Sequence, residues 1–264
     1  MDPAACVAIA DALGDVSEGT VVEIGPGKGA ITEILAERAP RLVAIELDRE
    51  LAPWLKARFA GQASVEVIEA DVLEVDLGGL ARDGEKLAVV GNLPYYITSD
   101  ILLRLFQFHE AISRAVVMVQ REVADRVAAV PGTRDYGLLS ATAQLYARVE
   151  KVMTLPPGAF SPPPEVHSTV LRLTMRPSFV ELGIEAGSEA EFIGFLKAGF
   201  AQKRKTLGKN LRTAGFDAER VAAAMEGVGI PAMARAEEIE LERMARLWRR
   251  LKEQGPGNRD QGLL

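Results

Sequence analysis

The sequence predicts an α/β protein with a doubly wound, Rossmann-like sheet of about seven strands and a smaller all-α C-terminal domain. Residues 20–175 alternate short apolar runs with helix-like stretches, a pattern typical of parallel strands joined by right-handed crossovers. After Met175 the alternation ends, and residues 186–252 have helical periodicity with little strand signal. A length of 264 residues suits one large domain with an appendage. We therefore expect a sheet domain over 1–177, a helical domain over 178–254 and a frayed tail over 255–264.

Seven apolar runs are the predicted strands. The first five, which we expect to be parallel, lie at 20–24, 41–47, 65–70, 87–91 and 114–120. Helix-like stretches follow three of them, at 30–38, 48–59 and 97–106. In the last of these helices Thr98 or Ser99 is the expected N-cap. The final two runs lie at 147–153 and 168–175 and are joined by a proline-rich loop instead of a helix. That connection favours an edge pair with an antiparallel member.

Composition excludes several classes of protein. With 48% hydrophobic and 26% charged residues, the chain is neither disordered, collagen-like nor a coiled coil. No apolar run approaches about eighteen residues, so we expect no membrane span, and the N-terminus lacks the basic region of a secretory signal. The single cysteine, Cys6, precludes an internal disulfide, and only two histidines accompany it. We therefore expect a cytoplasmic protein without a metal centre.

The charge is unevenly distributed. A net charge of −6 and a pI near 5.2 argue, taken alone, against a nucleic-acid partner. Between Lys197 and Arg212, however, there are six basic residues and no acid. A local patch of this kind is what a phosphate backbone meets, although it is also compatible with a solvated helix surface. The six residues are Lys197, Lys203, Arg204, Lys205, Lys209 and Arg212.

A glycine-rich loop follows the first predicted strand and opens a helix. Its glycines, Gly25, Gly27 and Gly29, allow a tight turn and close approach to a ligand. The spacing G-x-G-x-G differs from the dinucleotide fingerprint. Glu23 precedes the loop within the strand, where an acid suits a cationic or amine-bearing ligand better than a pyrophosphate. Alone, the loop is a weak signal.

Two acids end the next predicted strands. A carboxylate at Glu46, after the second strand, can accept hydrogen bonds from both hydroxyls of a ribose. Asp71, after the third strand, can hold an adenine amino group. The alternatives are a solvated acid at Glu46 and a turn residue or helix cap at Asp71.

The tetrapeptide Asn92-Leu93-Pro94-Tyr95 ends the fourth predicted strand, on the carboxyl edge where open α/β sheets bind ligands. The Asn92 side-chain oxygen and a backbone carbonyl held rigid by the proline can accept two N–H bonds from an exocyclic amine. Tyr95 offers a ring on which a base can stack. In the proline-rich loop Phe160 is a candidate for the other face of that base. The alternatives are an ordinary strand-to-helix turn and a loop anchor.

These residues together resemble the ribosomal RNA adenine N6-dimethyltransferase family, and within it the small-subunit (16S) branch. The resemblance covers residues 2–252 and rests on VVEIGPGKGAIT at 21–32, AIELD at 44–48, EADVLEV at 69–75, NLPYYITS at 92–99, FSPPPEVHS at 160–168 and FAQKRKTLGKNL at 200–211. NLPY combined with F-x-P-x-P-x-V-x-S is far more specific than the glycine loop.

The resemblance implies a class I methyltransferase sheet and an S-adenosylmethionine-dependent enzyme that needs no metal and releases S-adenosylhomocysteine. Its implied substrate is 16S rRNA in the small ribosomal subunit, where N6 of two adjacent adenosines in the 3′-terminal hairpin loop is dimethylated. We expect the protein to be a monomer and not to bind membranes. The implied cofactor residues are Glu23, Gly25, Gly27, Glu46, Asp71 and Asn92. The implied catalytic residues are Asn92, Leu93, Tyr95 and Phe160. The implied RNA-binding residues are Lys203, Arg204, Lys205, Lys209 and Arg212.

Two other functions remain open from the sequence. One is a large-subunit rRNA adenine methyltransferase of the macrolide-resistance type; Leu93 favours the small-subunit branch, because resistance enzymes often carry isoleucine there. The other is a non-catalytic assembly or RNA-binding factor, against which the intact Glu46, Asp71 and NLPY count.

The family also carries an N-terminal basic arm that helps to close the cofactor site. This sequence begins after the position where that arm would end, and we expect a truncation.

Overall fold

The computed structural model describes residues 1–82 and 84–253, so the predicted tail over 255–264 lies outside the described residues. The chain divides into two compact units. The sheet unit comprises Met1–Ala128 and Tyr146–Arg176, and the helical unit comprises Ala129–Leu145 and the chain from Pro177 onward. The sheet unit ends at Arg176, and the boundary predicted from the sequence lies after residue 177. The predicted division differs from these units over 129–145, because the sequence prediction places this segment in the sheet domain.

One seven-stranded sheet forms the centre of the sheet unit. Its strands are β1 (Thr20–Ile24), β2 (Arg41–Glu46), β3 (Val65–Glu69), β4 (Leu87–Asn92), β5 (Ile112–Gln120), β6 (Ala147–Leu155) and β7 (Ser168–Met175). Their order is β3-β2-β1-β4-β5-β7-β6. The first five strands pair in parallel, whereas β7 is antiparallel to both β5 and β6. The predicted Rossmann-like sheet and its antiparallel edge pair are confirmed.

Burial follows from this topology. Every residue of β1 is buried, and so are five consecutive residues in each of β2 and β4, as expected for central strands covered on both faces.

The helices of the parallel part are α1 (Pro3–Ala12), α2 (Ala30–Arg38), α3 (Leu51–Arg58), α4 (Thr98–Gln107) and α5 (Arg121–Val127). α1 and α2 contribute Ile9, Ile31 and Leu35 to a core that includes Leu13, directly after α1, and Leu42 of β2. No helix of the described residues is long and apolar enough to cross a membrane.

The start of α4 differs from the expected cap. The helix begins at Thr98 and is preceded by Ile97, whose side chain cannot cap it. The Thr98 hydroxyl instead donates to the Pro94 carbonyl at 2.8 Å. The Pro94 carbonyl also accepts from the Ile97 N–H at 3.3 Å. These two hydrogen bonds hold the turn between the tetrapeptide and the helix.

Aromatic and aliphatic side chains form a separate core in the helical unit. Its helices are α7 (Glu189–Gly199), α8 (Leu207–Thr213), α9 (Ala218–Gly227) and α10 (Leu241–Glu253), and α6 (Leu138–Tyr146) precedes β6. Met244, Leu247, Trp248 and Leu251 of α10 are buried, in agreement with their helical spacing. The Trp248 ring meets Phe192 edge-on, with 5.5 Å between centroids. This core is consistent with the predicted all-α C-terminal domain.

Candidate active site

The carboxyl ends of the parallel strands surround a cavity of about 310 Å3 in the sheet unit. Its lining comes from the ends of β1, β2 and β3 and from the start of α4 with the turn before it. The residues are Ile24, Gly25, Ile45, Glu46, Leu47, Asp48, Ala70, Asp71, Val72, Pro94, Tyr96, Ile97 and Ile101. A cavity at this edge is where open α/β sheets bind ligands. It brings together Gly25, Glu46 and Asp71 of the predicted cofactor residues.

The glycine loop needs its glycines for conformation. Gly25, Gly27 and Gly29 all have positive φ, at 66°, 59° and 79°, a region that L side chains rarely adopt. A Cβ on Gly25 would lie 3.6 Å from the Asn92 carbonyl oxygen. The loop therefore passes close to the end of β4, and the predicted cofactor and amine-binding residues adjoin each other in space.

The Glu46 carboxylate is held by backbone donors on both oxygens. Oε2 accepts from the Gly27 N–H and Oε1 from the Asp48 N–H, each at 3.0 Å. The residue is only 7% exposed. Because each carboxylate oxygen has more than one acceptor position, both can still take a hydrogen bond from a ligand in the cavity. The alternative of a freely solvated acid is excluded.

Asp71 combines a turn with a place on the cavity wall. Its Oδ1 accepts from the Leu73 N–H at 2.9 Å, and the residue is half-buried. This is the turn role that its sequence position suggested. The second carboxylate oxygen does not enter this bond, so the turn role and a ligand role are compatible.

Glu23 is buried within β1 at 2% exposure and does not line the cavity. The Thr32 hydroxyl donates to its Oε2 at 2.6 Å. Burial raises the pKa of Glu23 to about 7; the Thr32 hydrogen bond opposes this rise, and the nearby negative charge of Glu46 adds to it. The carboxyl group thus has its proton equilibrium near neutral pH.

In the tetrapeptide Leu93 is buried and Asn92 is exposed to solvent. Leu93 is 1% exposed and its N–H donates to the Met118 carbonyl of β5 at 3.0 Å. Asn92, before it, is exposed at the end of β4. The Tyr95 hydroxyl lies 3.4 Å from Oγ of Ser168, and its side chain is 41% exposed. The tyrosine ring is therefore tied at one end and accessible to a partner.

The same serine connects the tetrapeptide to the proline-rich loop, because Ser168 is the last residue of FSPPPEVHS. Phe160, at the other end of this loop, is half-buried and packs against the sheet-unit core. Its N–H donates to the Pro157 carbonyl at 3.1 Å, and the neighbouring Ala159 carbonyl accepts from the Asp2 N–H at 2.8 Å. The loop-anchor reading therefore holds for Phe160, and a contact with a base remains a prediction.

Comparison with known proteins assigns the family. The model of the family described as ribosomal RNA adenine dimethylase matches residues 2–253. The chain belongs to this family. A protein of Acidobacterium capsulatum named ribosomal RNA small subunit methyltransferase A is 66% identical over 250 residues, covering 95% of this chain and 87% of its relative. A protein of the same name from Koribacter versatilis is 54% identical over 263 residues, covering 95% and 91%.

Solved structures support the fold of this rRNA adenine dimethylase family member. A dimethyladenosine transferase from Plasmodium falciparum has a TM-score of 0.80 at 24% identity, with 96% of this chain and 97% of that chain covered. The 23S rRNA methyltransferase ErmE has a TM-score of 0.71 at 27% identity, with 96% and 98% covered. The expected family resemblance and fold class are thus confirmed along nearly the whole chain.

Several cavity residues of this dimethylase are not among the site residues that the sequence predicts. Tyr96, Ile97 and Ile101 line the cavity beside Pro94. The i, i+4 spacing of the two isoleucines at the start of a predicted helix was an available signal, but a core role explains it equally well. Tyr96 is 78% exposed, and an aromatic residue after NLPY has no spacing that points to a cavity.

The basic segment Lys197–Arg212 lies in the helical unit. Lys203, Arg204, Lys209 and Arg212 are exposed and Lys205 is half-buried. Lys203 has a structural contact, since its Nζ donates to the Arg134 carbonyl at 2.7 Å. The other cations point to a surface that can accept phosphate, and their RNA-binding role remains a prediction. Within the residues that the structure describes, no group of three or more His, Cys, Asp or Glu could hold a metal ion.

Proposed function

We propose that this protein transfers methyl groups from S-adenosylmethionine to N6 of two adjacent adenosines in the 3′-terminal hairpin loop of 16S rRNA. The observation that carries the proposal is the juxtaposition at the sheet edge: the exposed Asn92 amide ends β4 beside a cavity whose wall includes the Glu46 and Asp71 carboxylates. The 66% identity to a protein named ribosomal RNA small subunit methyltransferase A supports the small-subunit substrate.

The cavity residues fit the cofactor. A nucleoside needs acceptors for its ribose hydroxyls and its adenine amine, and the Glu46 and Asp71 carboxylates are both acceptors. Apolar walls at Ile45, Ile97 and Ile101 suit the adenine ring. In Gly27 a Cβ would meet nothing within 4 Å, which leaves open space above the loop. When bound, S-adenosylmethionine supplies an electrophilic methyl group on a sulfonium centre.

Asn92 and Leu93 would prepare the nucleophile. The N6 lone pair of adenine is delocalised into the ring, so the amine is a poor nucleophile. Hydrogen bonds donated by the amine to Asn92 Oδ1 and to the Leu93 carbonyl favour a pyramidal nitrogen with a localised lone pair. Because these bonds are strongest as the nitrogen becomes positive, they stabilise the transition state more than the ground state. The methylated nitrogen is acidic and releases its proton without a dedicated base.

Tyr95 and Phe160 would hold the base. A target adenosine must leave its stack to reach the sheet edge, which costs a few kcal/mol. Stacking on an aromatic ring returns ~1–3 kcal/mol per base. The hydrogen bond of Tyr95 to Ser168 restricts the ring before the base arrives, so less freedom is lost on binding.

The helical unit would bind the small ribosomal subunit. Its exposed cations Arg204, Lys209 and Arg212 can neutralise rRNA phosphates. We expect the protein to act on the subunit as a monomer in the cytoplasm. The likeness to ErmE, at 27% identity, makes a large-subunit substrate the second candidate.

Methyl transfer from labelled S-adenosylmethionine to purified ribosomal subunits tests the proposal. Small and large subunits from cells that lack the endogenous dimethylases are incubated in parallel. Label in the small subunit alone, recovered as N6,N6-dimethyladenosine, is the expected result. Label in 23S rRNA would support the second candidate, and tight binding of small subunits without any transfer would support a non-catalytic factor.

A further inference from the structure

A second and larger cavity lies wholly within the helical unit. It has a volume of about 690 Å3 and is bounded by α8, α9 and residues 229–232. Its base is apolar: Val221, Met225 and Ile230 are each at most 3% exposed. This volume falls in the range of about 300–1,000 Å3 that is usual for ligand sites.

Charged groups stand at the margin of this apolar base. Lys209 and Arg212, three residues apart on α8, line the cavity and are exposed; residues at this spacing share a helix face. Among the described residues neither cation belongs to an ion pair. Within the described part of the chain Arg212 makes one side-chain hydrogen bond, from Nε to the Gly208 carbonyl at 3.3 Å, and this bond does not involve its terminal nitrogens.

A single carboxylate completes the polar lining. Glu226 of α9 is exposed and lines the same cavity. A carboxylate disfavours a simple inorganic anion but accepts hydrogen bonds from an exocyclic amine, as acids do with cytosine N4. The cavity therefore offers cations, an apolar surface and an acceptor of N–H bonds. One nucleotide presents the complement of all three: a phosphate, the flat face of a base and an amine on its edge.

We propose that this cavity receives an unpaired nucleotide of small-subunit rRNA, separate from the methylated adenosines. Its phosphate lies at Lys209 and Arg212, its base lies against Met225, and an exocyclic amine faces Glu226. Lys209 and Arg212 belong to both the basic segment and the cavity, so at this site the segment would recognise the shape of the RNA as well as its charge. This inference rests on the proposed function, because it requires rRNA as the substrate.

Filling the cavity without changing charge tests the inference. Ala222 and Ala223 are adjacent exposed residues of α9, but only Ala222 lines the cavity. Ala222→Trp should weaken binding of purified small subunits about tenfold, or ~1.4 kcal/mol, and leave the salt dependence of binding unchanged. Ala223→Trp is the matched control and should bind as wild type does. Equal affinities for the two variants, with equal thermal stability, would overturn the inference.

A cross-link identifies the occupant. Cys6 is the chain's one cysteine and is buried. Ala232 lines the cavity and is exposed, so Ala232→Cys places one accessible thiol there, to which a maleimide photo-cross-linker can be attached. The expected adduct is with 16S rRNA. An adduct with a ribosomal protein alone would overturn the inference in favour of a protein partner. If wild type methylates small subunits while Ala222→Trp binds them normally, only this inference fails; if wild type neither binds nor methylates them, the proposed function fails with it.

Discussion

The backbone N–H of Gly27 donates to Oε2 of Glu46 at 3.0 Å, joining the glycine loop after β1 to the acid that ends β2. The bond fixes the carboxylate relative to a loop whose positive φ angles depend on glycine. Since the Asp48 N–H holds the other oxygen, the Glu46 side chain is oriented before any ligand enters. An oriented acceptor loses little freedom on binding, and this favours affinity.

Removal of the Glu46 carboxylate should weaken cofactor binding. We expect Glu46→Ala to reduce the affinity for S-adenosylmethionine by about 1–3 kcal/mol, the range for hydrogen bonds to a charged group. Glu50→Ala is a suitable control, because Glu50 is exposed and does not line the cavity. Titration calorimetry on both variants measures the effect. Equal affinity for wild type and Glu46→Ala would rule out a role for Glu46 in the cofactor site.

Glu23 should make stability depend on pH. Its pKa of about 7 in the folded protein lies above the ordinary value of 4.5, so between these pH values the folded state holds a proton that the unfolded state has lost. The contribution of Glu23 to stability is therefore greatest below pH 4.5 and decreases as pH rises to 7, by an amount on the order of 3 kcal/mol. Glu23→Gln lacks this decrease.

Denaturant unfolding from pH 5 to pH 8 measures the difference. The free energy of unfolding of Glu23→Gln should rise relative to that of wild type as pH increases, because the glutamine stays neutral and can still accept from Thr32. Parallel curves for the two proteins would contradict the raised pKa. Thr32→Val removes the donor whose hydrogen bond lowers the pKa of Glu23, so the decrease in stability should extend to higher pH in this variant.

Local patterns anticipated the strands and the site edge, but not contacts between distant segments. The β-branched runs at β1 and β4 and the acid at Glu46 were readable, because strand periodicity and position at a strand end are local properties. The membership of residues 129–145 in the helical unit was not. It depends on long-range contacts such as the Gly132 N–H to Glu237 carbonyl bond at 2.7 Å, which leave no trace in the segment's own pattern. The place of Tyr96 on the cavity wall was hidden for the same reason.

Asn92 should matter more for methyl transfer than for cofactor binding. We expect Asn92→Ala to lose the transfer reaction while cofactor affinity falls less, because the amide oxygen acts on the amine in the transition state. Asn92→Asp keeps an acceptor oxygen and should retain more activity than the alanine variant. Single-turnover rates on small subunits measure the effect. A rate for Asn92→Ala within about twofold of wild type would leave less than ~0.5 kcal/mol for this role.

The basic segment should determine the salt dependence of subunit binding. Lys203, Arg204 and Lys205 replaced together by alanine should weaken binding and flatten its dependence on salt, since each phosphate contact releases condensed counterions. Replacing Lys56, Arg82 and Lys86, exposed cations of the sheet unit, changes the net charge equally and should have little effect. If both triple variants behave alike, bulk charge and not the basic segment governs binding.

The identity and number of methylated nucleosides formed on the small subunit test the proposed reaction most directly. Subunits from dimethylase-deficient cells are incubated with S-adenosylmethionine and the protein, and the 3′-terminal fragment of 16S rRNA is analysed by mass spectrometry. We expect two adjacent N6,N6-dimethyladenosines with wild type and their loss with Asn92→Ala. An unmodified fragment with wild type, or methylation at another base or in 23S rRNA, would contradict the proposed reaction.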